Sequence, residues 1–361
     1  MINLIVNGKP FKDFTEAECT VSITSMANDF SFTATSVNLF PTFKINDSVE
    51  VWVDDIKQMS GNIDEIGGDE SEGSHTVTYS GRDKTSGIID SQVIGFNDVR
   101  GDITLKKVVE LILSNIGLDL NVVDNLAPVL FNAAEDVIDG RDGTNALGLA
   151  MEYGRKRQAL ISSDNDGNVC IEDVTPTESG ATLQRTNGND NNILSQSWNI
   201  TNSELFNTII HKGQLAPRSL NLAGKTDVAT VESQGGTLID SSVRKGRQKV
   251  VVEGKSYSSK QLNDRAKWTH QLSKAKSTTF NCTVKGHSKY NSGLWSPNSL
   301  VQINSSVADI SRKMLIDTVT FSQGEGQPTI TELEFVERNS YTIVKPKDNK
   351  KAGKQNDVYW R

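Results

Sequence analysis

The segment GHSKYNSGLWSPNSLVQI, residues 286–303, decides how the rest of the chain is interpreted. His287, one of only four histidines, stands directly before Ser288, which raises the question of a nucleophile with its base. Consecutive side chains on a β-strand point to opposite faces, so these two groups would not meet. The G-x-S-x-G turn of many serine hydrolases is also absent from the sequence. We therefore predict that His287 and Ser288 are not catalytic.

The same segment has the pattern of a structural turn. A strand leads into a turn at 291–293, and another strand is expected over 300–303. Between them, Trp295 offers a large apolar surface for burial, and Pro297 with Asn298 favours a tight turn. We expect Trp295→Ala to impair folding or assembly, and His287→Ala to leave function nearly intact.

Composition points to a β-rich protein without a membrane span. The 361 residues suggest two or three domains, and the low aromatic content of 6% with frequent Asn, Ser, Thr and Gly suits many short strands. The net charge of -7 argues against tight nucleic-acid binding, which needs a basic surface. No apolar run approaches the ~20 residues of a membrane span, and the N-terminus MINLIVNGKPF lacks a signal-peptide pattern.

The sequence offers no specific pattern for catalysis or for a cofactor. The three cysteines are widely spaced and odd in number, so we predict neither a disulfide framework nor a metal site. The P-loop, the dinucleotide glycine motif and H-E-x-x-H are absent. With 45 acidic residues, any carboxylate pair is trivial to find and says nothing about glycoside hydrolysis. We predict a protein that is not an enzyme and that binds no cofactor.

Residues 1–100 are predicted to form a first barrel-like β domain. The stretch ECTVSITSMANDFSFTATSV predicts a hairpin, and strands are expected over 49–53, 58–66 and 75–80. The acidic turn GGDESEG between the last two lacks the spacing of a calcium loop, so we interpret it as a solvated loop tip.

Residues 101–194 are predicted to form a small α/β middle region and a linker. One helix is expected after Asp102 as its N-cap, and another in GRDGTNALGLAMEYGRKR with a basic C-terminal end. The stretch QALISSDNDGNVCIED predicts two strands around an Asp-Gly turn. The polar segment 177–194 is interpreted as a linker or a long surface loop.

Residues 195–344 are predicted to form a second barrel-like β domain with one helix over 258–276. The fold class is therefore mainly β with an α+β insertion, in which two barrel-like domains flank the middle region. Residues 345–361 form a lysine-rich tail of disordered composition. Its aromatic end makes Tyr359, Trp360 and Arg361 the candidate partner-docking residues.

Three stretches resemble the Mu-like phage baseplate hub proteins. The segment YSGRDKTSGIIDSQV, residues 79–93, is similar to a G-R-(D/S)-(K/R)-(T/S) run of that family, and the turn segment is similar to its LW-x-PN-x-LV pattern. A weaker match spans 139–173. Residues 87–91 depart from the family by lacking a frequent cysteine, and the tail beyond 345 is not covered. The residues that carry the two stronger matches are Gly81, Arg82, Asp83, Asp90, Trp295, Pro297 and Asn298.

The resemblance implies a structural role in a contractile tail. Members of this family have two barrel-like β domains and form a homotrimeric ring that adapts a sixfold tail tube to a threefold central spike. The partners implied are the spike protein, tail tube or tube-initiator proteins and other baseplate (wedge) proteins. The implied location is the baseplate of the virion, assembled in the host cytoplasm and active in genome ejection. The family is also related to the base of type VI secretion spikes.

Two other functions stay open. A tail-associated cell-wall hydrolase would reveal itself in a zymogram against peptidoglycan. A glycan-binding virion protein would need exposed aromatic platforms, whereas the five tryptophans are scattered through this sequence.

Overall fold

The computed structural model describes residues 1–35, 42–72, 74–96, 102–131, 138–214, 233–256, 259–289 and 293–341. These residues contain nineteen β-strands and four α-helices. The strands are β1 (Ile2–Val6), β2 (Lys9–Phe11), β3 (Glu16–Ser22), β4 (Asp29–Thr35), β5 (Ser48–Val53), β6 (Ile56–Ser71), β7 (Ser74–Asp83), β8 (Val122–Asp124), β9 (Leu160–Ser163), β10 (Val169–Glu172), β11 (Thr177–Arg185), β12 (Ile193–Ile200), β13 (Thr208–Gln214), β14 (Ser233–Ile239), β15 (Gln248–Ser256), β16 (Thr278–Lys285), β17 (Ser299–Ser305), β18 (Ile310–Gly324) and β19 (Ile330–Glu337). The helices are α1 (Ser86–Asp90), α2 (Leu105–Asn115), α3 (Ala146–Lys156) and α4 (Ser259–Ser277).

Thirteen strands form one main sheet. Its path runs β12-β16-β19-β18-β3-β4-β7-β6-β5-β1-β2, and β17 joins β18 and carries β11. Every neighbouring pair is antiparallel except β11 with β17. The pairing of β18 with β3 joins the two ends of the chain in one sheet. The mainly β class is confirmed. The described strands close no barrel, so the two barrel-like domains and their boundaries stay predictions.

The core of the main sheet follows from strict alternation along its strands. In β3, for example, alternate residues are buried and their neighbours face solvent, which is the period-2 pattern of a half-buried strand. The buried rings pack in pairs. The Phe32 and Tyr79 centroids lie 4.9 Å apart in a stacked arrangement, and those of Phe280 and Phe335 lie 6.0 Å apart. Burial of rings such as these against apolar residues from other strands of the same sheet is the main driving force that stabilises this core.

The middle unit contains α1, α2, α3 and a three-stranded sheet of order β8-β10-β9 around a core of its own. The expected helices and the hairpin are confirmed, and Gly167 in the hairpin turn has the φ of +79° that favours glycine. The predicted cap at Asp102 is wrong. Thr104 caps α2, because its Oγ1 accepts a hydrogen bond from the backbone N–H of Lys107 at 3.2 Å.

A third sheet, of order β14-β13-β15, packs one face against α4. The helix predicted over 258–276 is therefore confirmed. No helix of the described residues is long and apolar enough to cross a membrane.

Two loop expectations are wrong. Segment 177–194 was expected as a linker, yet its first half is strand β11, which pairs in parallel with β17 and buries Leu183. Leu183 and the partly buried Ala181 face the core, and the pairing with β17 supplies the backbone hydrogen bonds of this polar segment. The acidic GGDESEG turn is also shorter than expected. Strand β6 continues to Ser71, and its part from Gly61 to Ser71 pairs with β7.

Candidate functional site

The first motif centres on the buried carboxylate of Asp83, which is 0% exposed. It accepts hydrogen bonds from the backbone N–H groups of Asn28 and Thr85, both at 2.9 Å, and from the Ser163 hydroxyl at 2.5 Å. Burial raises the pKa of Asp83, and these hydrogen bonds oppose that shift by favouring the charged form. Because Ser163 belongs to β9, Asp83 fastens the main sheet to the middle unit.

The neighbours of Asp83 have structural roles as well. The Arg82 guanidinium forms a bidentate pair with Asp90, at 3.2 and 2.7 Å, and its Nε donates to Asp64 at 2.7 Å. The hydrogen bond from Arg82 lowers the pKa of Asp90. A Cβ at Gly81 would lie 2.0 Å from the carbonyl oxygen of Asn62, so only glycine fits between β6 and β4 there. The motif thus connects β7 to β6 and to α1.

The second motif is a buried turn. Trp295 is 4% exposed and belongs to the core of the main sheet, and its backbone N–H donates to the carbonyl of His287. Asn298 has a φ of +62°, a conformation that Asn tolerates better than most residues. Its backbone N–H donates to Ile316 in β18, and its carbonyl accepts from Thr177 in β11. Pro297, half-buried, immediately precedes this junction.

His287 and Ser288 do not form a catalytic pair. The His287 ring is 2% exposed, packs edge-on against Phe321 and contacts the carbonyl oxygen of Ser322 at 3.2 Å. Burial lowers its pKa and therefore favours the neutral ring. The Ser288 hydroxyl points elsewhere and donates to Asp54 at 2.9 Å. The predicted opposite orientation of the two side chains is confirmed.

A buried polar cluster under α4 was not found by sequence reasoning. The Nδ1 of His211 lies 2.7 Å from Glu253, its Nε2 lies 2.9 Å from the Thr269 hydroxyl, and Arg265 donates to the same Glu253 oxygen at 3.2 Å. Burial opposes ionisation of Glu253, but the contacts with His211 and Arg265 prevail and lower its pKa. His211 precedes Glu253 by 42 positions and Thr269 by 58, and these residues meet through the pairing of β13 with β15 and the packing of α4. The cluster ties α4 to the third sheet.

No metal-binding cluster of three or more His, Cys, Asp or Glu side chains occurs in the described ranges. The three cysteines are free and buried, and burial raises the pKa of Cys170 and Cys282 to about 12. The candidate docking residues Tyr359, Trp360 and Arg361 lie outside the described residues.

A continuous polar surface lies on the solvent face of the main sheet across β12, β16, β19, β18, β3, β4 and β7, and we call it the polar wall. Cross-strand partners line up in rows on this face, opposite the buried rings. Almost all of its side chains are hydroxyls, amides or carboxylates. They are Glu16, Glu18, Thr20, Ser22, Asp29, Ser31, Thr33, Thr76, Thr78, Ser80, Ser195, Ser197, Asn199, Thr279, Asn281, Thr283, Thr318, Thr320, Ser322, Glu332 and Glu334.

The polar wall is acidic and internally hydrogen-bonded. Hydroxyl pairs bridge neighbouring strands, such as Thr20 with Thr320 at 3.2 Å. Burial and the nearby charges of Asp317 and Glu332 raise the pKa of Glu334. The basic residues Arg82 and Lys285 lie only at the margins, and Arg82 is neutralised by Asp64 and Asp90. The charges on the wall are therefore mainly negative, which disfavours the binding of anions. Sequence reasoning missed it because its members are scattered over some 300 residues of the chain.

Comparisons with known proteins agree with this structure. Residues 1–83 match the family model "Mu phage baseplate assembly protein GpP-like, N-terminal". The chain is 22% identical over 365 positions to the baseplate hub protein gp44 of Escherichia phage Mu. The alignment covers 98% of this chain and 93% of that relative. The similarity to Mu-like baseplate hub proteins that the motifs indicated is thus confirmed.

Solved structures show the same fold. The 43 kDa tail protein of prophage MuSo2 from Shewanella oneidensis superposes with a TM-score of 0.76 at 20% identity, over 95% of this chain and 99% of that one. The E. coli c3393 protein, a component of the type VI secretion system, superposes with a TM-score of 0.55 at 13% identity, over 95% of this chain and 79% of that one.

Proposed function

We propose that this chain is the central hub of a contractile-tail baseplate, a homotrimeric ring that adapts the sixfold tail tube to the threefold central spike. The observation that carries the proposal is that similarity to the Mu baseplate hub protein runs through 98% of the chain. The family-model match alone covers only the N-terminal 83 residues. A chain that is similar from end to end supports a role for the whole molecule rather than for one shared module.

The polar wall supports a position of this sheet around a channel. A surface that guides a passing anionic polymer without holding it needs negative or neutral groups and no unpaired cations. Apart from Lys285 at its margin, the polar wall meets this requirement, with Glu16, Glu18, Asp29, Glu332 and Glu334 spread among hydroxyls. In the proposed ring, the wall lines the channel through which DNA leaves during genome ejection.

The remaining assignments follow from the hub role. The partners are the central spike, the tail tube or its initiator proteins and the wedge proteins, and the location is the virion baseplate after assembly in the host cytoplasm. Each protomer contributes two barrel-like β domains, whose closure is completed by its neighbours. Residues 345–361, with Tyr359, Trp360 and Arg361, dock a baseplate partner. Deletion of this tail is expected to weaken spike binding, and unchanged binding would reject the docking role.

Sedimentation analysis of the full chain tests the ring. We expect a trimer, and ring-shaped particles in negative-stain images. A chain that stays monomeric at high concentration, alone and with its spike partner, would overturn the proposal. A zymogram against peptidoglycan tests the hydrolase alternative, and we expect no clearing, since His287 and Ser288 are not arranged for catalysis.

A further inference from the structure

Strand β12 is an open edge of the main sheet. It pairs with β16 on one side, and no other described strand pairs with its second side. Natural edge strands usually carry lysine, proline or inward charges that prevent further pairing. The sequence of β12, ILSQSWNI, contains none of these. The Ile193 carbonyl accepts a hydrogen bond from the Arg185 guanidinium at 2.8 Å, and the backbone groups further along this edge remain available to another strand.

The core-side face of β12 is apolar but uncovered. Trp198 and Ile200 pair with Phe280 and Thr278 of β16, which are buried, yet they are themselves 41% and 63% exposed. The apolar face of the sheet thus extends from β16 onto β12, where its side chains are exposed. An exposed Trp and Ile beside a core of this kind indicate a surface that another protein covers.

A second open edge lies on β6. Strand β5 pairs with β6 only as far as Asn62, so the segment Asp64–Ser71 pairs with β7 alone among the described strands. This segment contains Gly67 and Gly68, where an added Cβ at Gly67 would meet no atom within 4 Å. Glycine inside a strand weakens it and often marks the close approach of another backbone.

We propose that β12 of one copy pairs antiparallel with the Asp64–Ser71 segment of β6 in the next copy. The inference rests on the proposed homotrimer and identifies its contact. The eight strands from β12 to β6 are consecutively antiparallel, so β12 and β6 run in opposite directions at the two ends of the set. A rotation that repeats the unit around a ring axis brings them together antiparallel. Both segments have eight residues.

The pairing also matches the two faces. Ser195 and Ser197 would continue the row of Glu65, Gly67 and Asp69, which share the face of the polar wall. On the opposite face, Trp198 and Ile200 would cover Ile66 and Gly68, as aromatic side chains do over edge glycines. The acidic β6 segment would meet an uncharged strand, so no like charges oppose each other. The contact joins two different surfaces, so it repeats from copy to copy and gives a ring where the rotation closes, instead of a twofold dimer.

Cysteine crosslinking of the full chain tests the contact. Ser197→Cys is combined in one chain with Glu65→Cys, Gly67→Cys or Asp69→Cys, since directly opposed residues of antiparallel strands lie within disulfide distance. We expect one of the three double variants to give a covalent trimer on a non-reducing gel after oxidation. The native cysteines are buried and do not compete. As a matched control, Asn281→Cys on the adjacent strand of the same face, combined with the same partners, should give no trimer.

Trp198→Lys provides an independent measurement by sedimentation. We expect at least a tenfold rise in the dissociation constant of the trimer, with the far-UV spectrum of the monomer unchanged. A wild-type trimer that crosslinks in none of the three double variants and that Trp198→Lys does not weaken would overturn the pairing and leave the hub proposal standing. A wild-type chain that never forms a trimer would overturn both.

Discussion

Replacement of Trp295 measures how much the stability of the fold depends on the buried turn in residues 286–303. The side chain is 4% exposed and packs in the core of the main sheet. Burial of a tryptophan removes roughly 150–250 Å² from water, which at about 25 cal/mol per Å² corresponds to about 4–6 kcal/mol. We expect Trp295→Ala to lower the free energy of unfolding by about 3–5 kcal/mol, the range of such truncations in protein cores.

Trp295→Phe separates packing from hydrogen bonding. The buried Nε1–H of Trp295 has no hydrogen-bond partner in the described part of the chain, so its removal costs no bond and relieves an unsatisfied donor. We therefore expect Trp295→Phe to cost about 1.5 kcal/mol or less, well below the cost of Trp295→Ala.

Urea unfolding followed by circular dichroism, on the monomeric chain, gives both values from the midpoint and slope. Trp198→Ala serves as the control, because that side chain is 41% exposed and should cost under about 1 kcal/mol in the monomer. If Trp295→Ala stays within 1 kcal/mol of the wild type, or if Trp295→Phe is as damaging as Trp295→Ala, the packing argument is wrong.

Four further outcomes are expected. Asp83→Ala leaves two buried backbone N–H groups without an acceptor and should cost about 3–5 kcal/mol in the same assay, with Asp83→Asn intermediate. Gly81→Ala should prevent soluble expression or lower the melting temperature by several degrees, because its Cβ would overlap the Asn62 carbonyl. His287→Ala should cost about 1–3 kcal/mol, since the ring is buried, while assembly of the ring is retained. The pKa of Glu253 is lower in the folded than in the unfolded state, so the stability that its carboxylate contributes is present above its ordinary pKa and is lost as pH falls through the folded value. The free energy of unfolding of the wild type should therefore exceed that of Glu253→Gln by about 1–3 kcal/mol at pH 7, and this difference should shrink below about pH 4.

Local pattern alone determined the element types in much of the chain. The helices α2, α3 and α4 follow from apolar spacing, and the hairpin of β9 and β10 follows from the Asp-Gly turn. The burial of Trp295 beside a tight turn was predicted from its own apolar surface and from the neighbouring Pro297 and Asn298. The opposite orientation of His287 and Ser288 required only the two-residue period of a strand. These features depend on neighbours a few residues apart, which a sequence displays directly.

Tertiary structure decided everything that depends on pairing between distant segments. Segment 177–194 looks like a linker because its polar residues give no periodic signal, and β17 turns its first half into a strand. The union of β18 with β3 and the acid-and-hydroxyl composition of the polar wall arise from strands far apart in the chain. Alternation along one strand predicts which side chains face solvent, but it does not predict which strands lie side by side. Register and strand order are set by the shared core and by long-range backbone hydrogen bonds, and these exist only in the folded molecule.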